Sequence, residues 1–133
     1  NSCDYCYGGH SAIARQHGVE EGVFESLVAD INMAPVDDKL KPILRFVRKL
    51  TLEPYKNNQA AVNAVLSSGC SEKALADVIY LCSLSAMLNR LVFGFGIEGE
   101  GSQFTQVAQG IKETGYRKMY EGMGLDVPKF KET

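Results

Sequence analysis

Long apolar runs are missing from this chain of 133 residues. A membrane-spanning helix calls for about 18 or more consecutive apolar residues. The nearest stretch, "VIYLCSLSAML" from Val78 to Leu88, stops after eleven residues at Asn89-Arg90. No membrane association is expected from it. A basic excess is missing as well: Lys and Arg number 14 against 16 Asp and Glu, a formal charge of −2. That excludes the electrostatic footprint of a nucleic-acid binder. Four cysteines are too few for a disulfide scaffold in a chain of this size. Linkers, low-complexity tracts and internal repeats are not seen, and period-two alternation is scarce, which argues against sheets. No initiator methionine precedes Asn1, so the natural protein is expected to extend further upstream. No secretory signal can be read, and the cytoplasm is the default location.

What is present suits a globular protein: 45% hydrophobic and 23% charged residues, in a chain long enough to bury one sizeable core. Apolar residues recur at spacings of three and four, the period of amphipathic helices. Val23, Phe24, Leu27, Val28 and Ile31 form one stripe, closed by Pro35. Leu40, Ile43, Leu44, Val47 and Leu50 form a second, with Asp37 or Asp38 to cap it and Pro42 in its first turn. Val62, Val65 and Leu66 mark a short helix that Gly69 would stop. Ser71 can cap a helix from about Glu72 to Phe93 that is apolar nearly all round. Such a helix is expected to be central, covered by the other helices or by a partner chain. "GFGIEGEGSQ" interrupts the pattern, and Phe104, Val107, Ala108, Ile111 and Met119 carry a last helix before Gly122 and Gly124. The tail after Leu125 reads as a loose end or an arm. The expected fold class is all-α, in one domain over residues 1–133.

The chemistry is concentrated at the start, in "NSCDYCYGGHSAIARQHG". Ser2 can cap a helix beginning at Cys3. At about 100° per residue, Cys3, Cys6 and His10 then lie within roughly 60° of one another around the axis. Cys6 and His10 are an i, i+4 pair, the spacing at which side chains meet. Cys3 and Cys6 are an i, i+3 pair, close enough for a disulfide if the local geometry permits. The thiolate is the reactive species, so an adjacent imidazole or a positive helix end favours reaction near neutral pH. Two thiols together can also convert a sulfenic acid to a disulfide before over-oxidation.

Other residues in the segment have plainer readings. Gly8 and Gly9 would either admit a substrate beside Cys6 or let another helix approach closely. Tyr5 is expected to pack, and His17 to sit at the helix C-terminus, where it meets the dipole. Cys70 and Cys82 read as small buried hydrophobes. Zinc is the main chemical rival to thiol reactivity, but Cys3, Cys6 and His10 supply only three of the four ligands of a structural site. Metal ligation is therefore not assigned to any residue. A c-type haem site is excluded because Tyr7, not histidine, follows Cys6.

"CDYCYGGHSAIARQHG" resembles the CxxCxxxH helix of the alkylhydroperoxidase D-like (AhpD-like) group in the carboxymuconolactone decarboxylase superfamily. "DDKLKPILRFVRKLT" and "AVNAVLSSGCSEKALADVIYLCSLSAMLNRLVFGFGIE" resemble that family's later helices, with its asparagine-arginine pair at Asn89-Arg90. The resemblance covers roughly residues 1–97. It implies an all-α protein that assembles into trimers, hexamers or larger rings. It also implies a thiol-dependent peroxidase or disulfide reductase with Cys3, Cys6 and His10 as catalytic residues and no cofactor. The implied partners are a hydroperoxide substrate and an external thiol or redox-protein reductant. Decarboxylase-type relatives generally lack the cysteine pair. The family's glutamate upstream of the first cysteine has no counterpart, since only Asn1 and Ser2 precede Cys3. Either N-terminal helices are missing or another residue serves, with Glu20, Glu21 and Glu53 available.

Overall fold

The amphipathic periods become six α-helices in the structure, a computed structural model that describes residues 1–122, 124 and 126. They are α1 (Asp4–Gln16), α2 (Val23–Ala29), α3 (Leu40–Leu52), α4 (Gln59–Ser67), α5 (Glu72–Gly94) and α6 (Gly101–Gly122), with a 3₁₀ turn at Pro54–Lys56. No strand occurs among the described residues, so the all-α expectation holds. The tail after Leu125 lies outside the described residues except for Asp126.

The chain divides into two compact units: Asn1–Cys3 with Glu21–Ile97, and Asp4–Glu20 with the chain from Glu98 onward. In the first, Phe46 of α3, Val65 of α4 and Leu75 of α5 form the buried centre. Ile43, Leu50, Ala61, Val62, Leu66, Cys70 and Ile79 pack around it. Two helices of this unit start where side chains cap them. Asn58 accepts a hydrogen bond from the Ala61 amide at 3.1 Å, and Ser71 accepts one from the Ala74 amide at 3.1 Å. Gly69, at φ 93°, follows α4 in the left-handed conformation that ends helices at low steric cost.

Two expectations about this unit are corrected. Helix α2 ends at Ala29 rather than running through Ile31 toward Pro35: Asp30 is extended, and its carboxylate takes the Asn32 amide at 2.9 Å. Aspartate offers the backbone such alternatives to helix. Neither Asp37 nor Asp38 caps α3, whose cap residue is Lys39. Asp37 instead binds the Lys39 amide, and Asp38 pairs with Lys41 at 2.7 Å. Helix α5 is the element expected to be covered by the other helices or by a partner chain. Only Leu75 and Asn89 of its 23 residues are buried. By length and composition α5 would suffice to cross a membrane, although no long uninterrupted apolar run announces it. Core helices of soluble proteins meet the same criterion.

The second unit is built on α1 and α6. Ser11 on α1 and Ala108 and Ile111 on α6 are its buried residues. Phe104 of α6 meets Tyr5 of α1 edge-on, with ring centroids 5.4 Å apart and planes at 77°. Helix α6 is kinked at Gly115, where φ is 74° and ψ 166°.

Candidate active site

Helix α1 begins one residue later than the sequence suggests. Ser2 has φ 50°, in the left-handed region, whereas a capping serine is extended. Cys3 therefore precedes the helix, and Asp4 occupies its first turn, where a carboxylate complements the positive end of the dipole. From Asp4 to Gln16 the helix is unbroken, across the adjacent glycines Gly8 and Gly9.

This continuity places Cys6 and His10 one turn apart on the same side of α1. Cys6 is half-buried and His10 exposed. Cys3 is buried, at 6% exposure, and belongs to the first unit, whereas Cys6 and His10 belong to the second. One element thus unites two members of the expected trio, and the third immediately precedes that element in the chain. None of the four cysteines is in a disulfide. Among the described residues no three His, Cys, Asp or Glu side chains gather into a group that could hold a metal ion. Neither the motif trio nor Cys70 and Cys82 form such a site.

The space over Gly8 has an occupant. A Cβ built on Gly8 would lie 2.5 Å from the Phe104 ring, and one on Gly99 2.8 Å from the same ring. The two glycines exist, in physical terms, because the aromatic ring of α6 seats against them. Of the two readings offered for Gly8 and Gly9, close helix approach is the one realised. The sequence signal was the glycine pair itself; nothing in it singled out Phe104.

An open groove of about 380 Å³ runs between the two helices of this unit. Gly8, Ala12, Arg15 and Gln16 of α1 line it with Gly101, Phe104 and Thr105 of α6. At about 100° per residue, Gly8, Ala12 and Arg15 lie roughly 180–240° around the axis from Cys6. The groove therefore opens on the side of α1 away from Cys6 and His10.

The remaining sequence candidates have ordinary structural roles. Tyr5 packs on Phe104. The exposed His17 follows the last residue of α1, and its amide bonds to the Ile13 and Ala14 carbonyls. Cys70 packs against the core of the first unit, and the Cys82 sulfur lies 3.4 Å from the Thr51 hydroxyl. Of the carboxylates considered as substitutes for an upstream glutamate, Glu20 and Glu21 are exposed and Glu53 pairs with Lys56.

No family model matches the chain, and neither does any curated protein or any solved structure.

Proposed function

We propose that the chain is a thiol-dependent hydroperoxide reductase or disulfide reductase of the alkylhydroperoxidase type, working through Cys6, Cys3 and His10 without a cofactor. The observation that carries this reading is the unbroken α1, on which a half-buried thiol and an exposed imidazole stand one turn apart. His10 takes the Cys6 proton, directly or through water, and the thiolate attacks the outer peroxide oxygen. The O–O bond breaks, the alkoxide leaves as alcohol with a proton returned from the imidazolium, and Cys6 becomes a sulfenic acid. The Cys3 thiol then displaces water to form a disulfide. An external dithiol or redox protein restores both thiols and is itself oxidised to a disulfide. Cys6 suits the attacking role because it is less buried than Cys3 and because Asp4, not Cys3, opens the helix. The resemblance adds homo-oligomeric assembly to this reading.

Oxidation of the reduced protein by one equivalent of an organic hydroperoxide tests it. Four thiols are expected to fall to two, with a loss of two hydrogens in intact mass and a Cys3–Cys6 bridge in the peptide map. Cys6→Ser should abolish turnover. Cys3→Ser should permit one oxidation and accumulate sulfenic acid or a mixed disulfide. His10→Gln should slow peroxide reaction by on the order of 100-fold, the lower range of general-base contributions. Normal turnover in both cysteine variants would remove the dithiol mechanism. The alternative reading, an oligomeric binding or redox-sensing module, is favoured by the uncovered face of α5 and would leave the thiols reacting no faster than free cysteine. A lyase of the wider superfamily would work with both cysteines replaced.

A further inference from the structure

We propose that the groove between α1 and α6 binds a small carboxylate with an apolar tail, in chemical class a medium-chain fatty carboxylate. The site lies on the side of α1 away from Cys6 and His10, and the proposal does not rest on the thiol chemistry.

One stripe of each helix builds the groove. Gly8, Ala12 and Arg15 stand at i, i+4 and i+7 on α1, and Gly101, Phe104 and Thr105 at i, i+3 and i+4 on α6. These are spacings that share a helix face. All six residues belong to the second compact unit, so both walls are complete within it. The volume of about 380 Å³ falls inside the range of about 300–1,000 Å³ that small-molecule sites occupy. Gly8, Ala12 and the Phe104 ring, all half-buried, give the groove an apolar lining. The Thr105 hydroxyl donates to the Gly101 carbonyl at 3.0 Å, so its proton is spent within α6.

Charge selects the ligand. Among the described residues Arg15 is the only charged one that lines the groove, and no carboxylate pairs with it: the ion pairs are Lys41 with Asp38 and Lys56 with Glu53. A guanidinium offers a planar fork that a carboxylate fills with two parallel hydrogen bonds. The Gln16 amide beside it on the same rim can donate as well. A single guanidinium balances one carboxylate, whereas a phosphate group carries a charge of about −1.5 to −2. Arg15 and Gly8 are about 10 Å apart along α1 at 1.5 Å per residue. A ligand whose carboxylate meets Arg15 therefore lays its tail past Ala12 toward the Phe104 ring.

The test is a titration of the isotope-labelled protein with sodium octanoate, followed at the backbone amide resonances of Gly8 and Gly101. Butyrate, octanol and inorganic phosphate are the comparison probes. Saturable shifts confined to α1 and α6 are expected. A methylene is worth about fourfold in affinity when fully buried and about twofold when half covered, so octanoate should bind on the order of tenfold more tightly than butyrate. Arg15→Gln should weaken octanoate by about fivefold, the upper end for an exposed ion pair, and leave octanol unchanged. Gly101→Leu, at a position where an added Cβ meets nothing within 4 Å, puts a side chain into the groove. It should abolish octanoate binding at unchanged helix content by circular dichroism. Failure to saturate would overturn the proposal, as would shifts that avoid Gly8 and Gly101 or an affinity indifferent to both variants. Equal affinities for butyrate and octanoate would do the same, and so would phosphate that shifts the same amides as strongly as octanoate.

Discussion

A methyl group added at Gly8 would come within 2.5 Å of the Phe104 ring, whereas one added at Gly9 would find that ring at 3.8 Å. Both glycines lie inside α1, where exchanging glycine for alanine gains roughly 0.8–1 kcal/mol of helix propensity. At Gly9 nothing opposes that gain. At Gly8 the overpacking, about 1–3 kcal/mol in a close-fitted site, exceeds it. Gly9→Ala is therefore expected to raise the melting temperature and Gly8→Ala to lower it. A rise in both would mean that Phe104 swings aside at little cost. The candidate site divides in the same way at this scale. Cys6 and His10 were legible because helical spacing alone puts them together. The burial of Cys3 was not, because it depends on residues remote in sequence.

At the scale of the element, helix starts were legible where a side chain could reach its own first turn. Ser71 caps α5 in this way, and Ser71→Ala should cost about 1 kcal/mol in denaturant unfolding; Asn58, which caps α4, was not singled out from the sequence. Legibility failed where a residue had a competing local partner, as Asp30 and Asp37 do. It failed again at Gly115, which the apolar period of α6 passes over without a sign. With φ 74° and ψ 166°, that residue occupies a region almost closed to residues bearing Cβ. Gly115→Ala is expected to destabilise by about 1–3 kcal/mol. A stabilised variant with higher helicity would show that the kink relaxes into a straight helix.

For the whole molecule, each compact unit keeps its own packing centre: Phe46, Val65 and Leu75 in one, the seat of Phe104 against α1 in the other. Phe46, 5% exposed, should cost about 3–5 kcal/mol on truncation to alanine. Since Phe46 and Gly8 share no packing partner among those described, the double variant Phe46→Ala/Gly8→Ala should lose the sum of the single effects within about 0.5 kcal/mol. Denaturant titration of the cycle measures this, and a larger deviation would show that the two sites are energetically coupled. The division itself had no sequence signature, since no linker separates units whose segments alternate along the chain.

By itself the sequence determined the helical class, the approximate helix positions, and the pairing of a thiol with an imidazole on α1. These depend on periodicity and on contacts within a turn or two, which residue order alone dictates. Only the tertiary structure decided that Phe104 fills the space beside Gly8, that Cys3 is buried, and that α5 keeps an apolar face in solvent. Each of these is set by which distant element comes to lie against which face. A helix that is apolar all round is equally compatible with a covered and an uncovered side until its neighbours are placed.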